Sequence, residues 1–180
     1  MRIIKDNSLA VIIDVQERLF PHMHEKEKLE KNLGILINGF KILNLPVIVT
    51  EQYTKGLGMT IPSLKMKLDN YPFFEKTAFS CCDEKNFMKT LKESKSSHII
   101  IAGIESHVCI LQTTIDLIQN NFIPVVIEDC ISSRRPHDKK VALKRMIKEG
   151  AIISSYESIL FELLRYSGNE YFKAISQLVK

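Results

Sequence analysis

Residues 97–113, "SHIIIAGIESHVCILQT", run from a strand directly into a helix. Ile99, Ile100 and Ile101 are consecutive β-branched residues with no polar alternation, the pattern of a strand buried on both faces. Gly103 then allows a turn. From Ser106, a possible N-cap, the period changes, and Val108, Leu111, Ile115 and Ile118 fall on one face of a helix expected over 106–121. Glu105, His107 and Cys109 therefore sit where a strand's carboxyl end meets a helix start. In open α/β sheets that is where ligands bind.

The same unit recurs along the chain. "SLAVIID" (8–14), "PVIVT" (46–50), a short piece in "FFEKTAFS" (73–80), "IPVVIED" (123–129) and "AIISS" (151–155) read as further strands. Helical periods separate them. Residues 29–44 bring Leu29, Leu33, Leu36, Ile37 and Phe40 to one face. Residues 83–94 follow Asp83 as a possible cap, and 137–150 end at Gly150. "SLKMKLDN", "YESILFELLR" and the tail beyond Gly168 supply shorter helices. Alternation of this kind predicts a three-layer α-β-α fold around a central, mostly parallel sheet of about six strands. No linker or internal repeat divides it, so 1–180 is expected to be one domain.

Composition excludes several classes. Hydrophobic residues make up 45% and charged residues 26%, which is globular rather than disordered. No apolar run approaches the ~20 residues of a membrane span, and the N-terminal run is short and holds an Asp, so no membrane partner is expected. Cys81, Cys82, Cys109 and Cys130 form neither a CxxC pair nor a disulfide framework, and read as free thiols of a reducing, cytoplasmic compartment. Net charge is only +4. The basic stretch 134–148 puts Lys140, Lys144 and Lys148 on the wet face of a helix, with Leu143, Met146 and Ile147 on the buried one. No aromatic side chains interleave for base stacking, so no nucleic acid is expected. His22 and His24 lack a third ligand, so no metal is expected. The first strand is followed by no GxGxxG, so no dinucleotide is expected and no cofactor is assigned.

The residues just past the strand ends are Asp14, Thr50 to Gln52, Glu75 and Lys76, the 103–109 segment, and Asp129 to Arg135. A carboxylate, an ammonium and a thiol thus project to one rim. These are the parts of an activated cysteine: a base for the thiol proton, a cation for the thiolate, and N–H groups at a helix start. None is diagnostic alone, since a free cysteine is usually a small core residue. Gln16, Glu51, Gln52, Tyr53, His107 and Arg134 share that rim and are the expected substrate contacts. His107 lies two residues from Cys109, about 200° away around a helix, so a Cys–His pair is disfavoured.

"AVIIDVQERL", "EKTAFS" and "AGIESHVCILQT", in this order, resemble the isochorismatase-like cysteine hydrolases, and "TEQYTKGLG" is similar to the isochorismatase-domain-containing subfamily. The resemblance spans Ser8 to about Leu164. It implies an Asp14–Lys76–Cys109 triad, an oxyanion hole from the Glu105 and Cys109 N–H groups, and a non-proline cis peptide at Ile104–Glu105. It further implies cleavage of a small amide or related acyl substrate through a thioester on Cys109, and homo-oligomeric assembly. Nicotinamidases of the superfamily carry a DxH…H metal site after the second strand. "VTEQYTKGLG" has neither element. True isochorismatases cleave a vinyl ether and need no cysteine, so Cys109 favours the thiol branch. The alternative is a catalytically silent binding or scaffold protein on the same fold.

Overall fold

The computed structural model describes residues 1–180. Six strands, β1 (Ser8–Ile13), β2 (Val47–Gln52), β3 (Phe73–Lys76), β4 (His98–Ile104), β5 (Ile123–Ser132) and β6 (Ile152–Ser154), form one sheet in the order β3-β2-β1-β4-β5-β6. Every pairing is parallel. The eight helices are α1 (Lys26–Ile42), α2 (Thr54–Leu57), α3 (Pro62–Leu68), α4 (Lys85–Ser94), α5 (Leu111–Gln119), α6 (Pro136–Glu149), α7 (Tyr156–Leu164) and α8 (Phe172–Leu178).

The strand period of two sorts the core into two layers. Ala10, Ile12, Val47, Val49, Ile100, Ala102, Val125 and Ile127 face one side and pack with α1, α3, α7 and α8. Leu9, Val11, Ile13, Ile48, Ile99, Ile101 and Val126 face the other, against α4, α5 and α6. Both faces are covered, which is why these strands read as unbroken apolar runs.

The strand order reverses between β1 and β4, so the chain leaves their carboxyl ends in opposite directions, the place where such sheets form a crevice. Two backbone features shape it. Asp14, immediately after β1, has φ 52° and donates its N–H to Thr50 O at 3.1 Å. Gly103, paired with Ile13 across the β1–β4 ladder, has φ 125°, and a Cβ there would be driven into the Ile13 carbonyl. Only glycine satisfies both demands.

Local differences from the expected elements have physical causes. The segment Ser106–Ile110 is one π-helical turn before α5, with Glu105 in the capping place, its O accepting the Ile110 N–H at 3.2 Å. The buried stripe runs Cys109, Ile110, Thr113, Thr114 and Leu117, so the core face carries two threonines, while Val108, Leu111, Ile115 and Ile118 flank it half-buried. Ser106 does not cap, and its hydroxyl is buried without a partner. Asp83 ends a 3-10 turn, Cys81–Asp83, rather than capping α4. On α6, Ala142 and Met146 are buried and Ile147 is 55% exposed, because the sheet is reached by a narrower stripe than the apolar pattern suggests.

Candidate functional site

Asp14, Lys76 and Cys109 come from the ends of β1 and β3 and from the π turn after β4, and they meet in the crevice. Lys76 Nζ lies 2.7 Å from Asp14 Oδ2, with both side chains excluded from solvent. Asp14 Oδ2 has no further polar partner. The other oxygen, Oδ1, accepts the Thr50 hydroxyl at 2.7 Å. Lys76 also faces Gln52 Oε1 at 3.1 Å, Ala78 O at 3.0 Å and Phe79 O at 3.1 Å, with Cys109 Sγ farther off at 3.7 Å. The thiol donates to Gln52 Oε1 at 3.2 Å. Cys109 is 4% exposed.

Charge states follow from these surroundings. Burial alone would lower the Lys76 pKa, but the Asp14 carboxylate, with Cys109 and Cys81 behind it, holds it above the usual lysine value. Burial, reinforced by Asp14, pushes the Cys109 thiol well above its ordinary value, and Lys76 offsets only part of this. The resting site is therefore an ion pair beside a neutral thiol, not a standing thiolate. Cys81 is pushed up to about 12, by burial and then by Asp14.

The Ile104–Glu105 peptide is cis, and the Glu105 N–H is spent on no acceptor of the chain. The Glu105 carboxylate turns outward and accepts Arg134 Nε at 2.9 Å, with the arginine side chain 60% exposed. His107 Nδ1 pairs with Ser133 Oγ at 2.9 Å, away from the sulfur.

Residues 8–158 match the isochorismatase domain family. The chain belongs to the isochorismatase family. Among solved structures it is similar to the MAR1 ribonuclease from Caenorhabditis elegans, with a TM-score of 0.94 and 39% identity over 99% of this chain and 92% of that one. It is similar to YcaC from Pseudomonas aeruginosa, solved with hexane-2,5-diol and covalent acrylamide (TM-score 0.93, 26% identity, 98% and 91% covered). It is also similar to Escherichia coli YcaC, described as an octameric hydrolase of unknown specificity (TM-score 0.93, 25% identity, 99% and 89% covered).

Within this isochorismatase-family crevice the remaining expected contacts divide. Gln52 borders the thiol, and Tyr53 stands 54% exposed at the rim. Gln16 and Glu51 are buried and committed elsewhere. The Gln16 amide donates to Gln52 O and Gly58 O and accepts the Gln52 N–H, while Glu51 Oε1 accepts the N–H and hydroxyl of Thr60. Their polar atoms fasten the 52–60 loop, leaving Gln52 in place over the sulfur. Sequence reasoning missed the Ala78 and Phe79 carbonyls that hold Lys76, and no sequence signal marks them. It also missed the Thr50 hydroxyl, whose register opposite Ile13 places it beside Asp14.

Proposed function

We propose that this chain is a cysteine hydrolase that cleaves a small amide or related acyl compound through a thioester on Cys109. The observation that carries the reading is the buried cluster itself, in which the one Asp14 oxygen left with unused capacity is the oxygen beside Lys76. In the proposed reaction Sγ attacks the carbonyl carbon as its proton passes to Asp14. The carbonyl π pair moves to oxygen, and the oxyanion is held by the Glu105 and Cys109 N–H groups, each such donor being worth about 2.7–4 kcal/mol in acyl transfer. Lys76 offsets the added negative charge. The C–N bond breaks, Asp14 returns the proton to the leaving amine, and a thioester remains. Asp14 then takes a proton from water, the water oxygen attacks the thioester, and the thiol leaves with that proton.

The neutral resting thiol suits this scheme, because proton removal is coupled to attack. Covalent acrylamide in a 26% identical relative supports an amide-sized electrophile reaching this crevice. The ribonuclease name of the C. elegans relative raises RNA cleavage, but a 4%-exposed thiol beneath Gln52 suits a small planar group better than a polynucleotide. Homo-oligomerisation belongs to the same reading, supported by the octamer described for E. coli YcaC.

The test is a panel of small amides with mass detection of an acyl adduct. Adducts on Cys109 and turnover that vanish in Cys109→Ala are expected. Turnover surviving in Cys109→Ala would sink the proposal, and absence of any adduct or turnover across the panel would favour a silent binding protein.

A further inference from the structure

The structure assigns Thr50 a positioning role: its hydroxyl fixes which oxygen of Asp14 receives the Cys109 proton. This rests on the reading of Asp14 as the base. Thr50 is 1% exposed on β2 and grips Asp14 twice, through its carbonyl, which accepts the Asp14 N–H at 3.1 Å, and through its hydroxyl, which donates to Oδ1 at 2.7 Å. Asp14 takes a left-handed backbone just past β1, and its carboxylate forms this second bond across to β2. The Cys81 Sγ lies 3.9 Å from Thr50 Oγ1, on the donor side, so the hydroxyl's own hydrogen is left for Asp14.

The consequence for proton transfer is specific. An unrestrained carboxylate rotates about its terminal torsion and presents either oxygen. With Oδ1 engaged by Thr50, the plane is set, and Oδ2 is left to Lys76. The titratable groups facing Asp14 are Lys76 from β3, Cys109 from the π turn and Cys81 from the 3-10 turn.

Acrylamide is a probe that needs no known substrate. Its β-carbon bonds to Sγ, the alkene π pair moves to the α-carbon, and that carbon takes the thiol proton by way of Asp14. The rate of adduct formation at Cys109 is followed by mass at neutral pH for the parent, Thr50→Val, Thr50→Ser and Asp14→Asn, with folding checked by circular dichroism. Loss of one hydrogen bond to a charged group corresponds to about tenfold. Thr50→Val should react about tenfold more slowly at neutral pH. Thr50→Ser should return the rate to near the parent. If Thr50→Val fails to fold, Thr50→Ala takes its place with the same expectation. A parental rate in the hydroxyl-free variant overturns the assignment, as does Thr50→Ser as slow as Thr50→Val. Asp14→Asn separates the two ideas: slow reaction there with parental Thr50→Val removes Thr50 alone, whereas parental Asp14→Asn removes the base and Thr50 with it.

Discussion

Replacing Lys76 by Met should be strongly destabilising as well as inactivating. The two charges of the Asp14–Lys76 pair are 2.7 Å apart, with side chains 0% and 1% exposed. Removing the ammonium strands a buried carboxylate whose compensation is then the Thr50 hydroxyl alone. It also deprives Gln52 Oε1 and the Ala78 and Phe79 carbonyls of a donor. Breaking one side of such a buried pair costs about 3–5 kcal/mol, a large share of an ordinary domain's stability. Removing both charges is cheaper than removing one, so the double variant Asp14→Asn with Lys76→Met should be more stable than the sum of the singles predicts. Urea unfolding of the four proteins in reducing buffer, at fixed m-value, measures the coupling. An expected coupling of about 2–4 kcal/mol follows from the cost of an unpaired buried charge. A Lys76→Met protein within about 1 kcal/mol of the parent, or strictly additive singles, would refute the argument, since both would mean that water reaches the pair.

Three further outcomes rest on the same geometry. Gly103→Ala combines a left-handed φ with a clash on the β1 backbone, so a loss of about 3 kcal/mol or more is expected by urea unfolding, and a loss under about 1 kcal/mol would contradict it. Stability should fall in alkali: Cys81 is raised from 9.0 to about 12, and Cys109 and Cys130 are raised too, so their contribution is complete below about pH 9 and is lost as pH climbs toward the folded values. Each buried thiol adds a slope of about 1.4 kcal/mol per pH unit in that window, Lys76 joins above 10.5, and Cys81→Ala should flatten the curve. Arg134→Met, at the solvent-facing rim, should leave addition of neutral acrylamide within about twofold while weakening binding of carboxylate-bearing substrates; a large drop with acrylamide would place Arg134 in the chemistry.

The sheet and its strand ends were legible because parallel strands buried on both faces are apolar throughout, and the helices between them keep a 3.6-residue period. Asp14, Lys76 and Cys109 were legible for the same reason: each closes or follows such a run. The π turn was not, since nothing in "SHVC" distinguishes a wide turn from an ordinary one until Glu105 is seen accepting from Ile110. On α5 the core face includes Thr113 and Thr114, which an apolar pattern does not mark, and the expected face proved half-buried. Gln16 and Glu51 carry side chains as apt for a ligand as Gln52. What separates them is which backbone each reaches, a property of the folded 52–60 loop.

In the proposed reaction the partners of Lys76 decide how the proton moves. An ammonium has three hydrogens, and four oxygens surround this one at 2.7 to 3.1 Å, with the sulfur farther away at 3.7 Å. Every hydrogen is taken, and the raised pKa keeps all three in place. Lys76 therefore cannot serve as the acid for a leaving group without giving up a well-satisfied bond. It acts as a fixed positive field, pinned by backbone carbonyls that do not reorganise during reaction. Such preorganisation is what makes a charge effective in a dry crevice. In that proposal the shuttle is the group that retains unused capacity, Asp14 Oδ2. Two carbonyls in the short turn after β3 thus assign a role to a carboxylate on β1, although neither touches it.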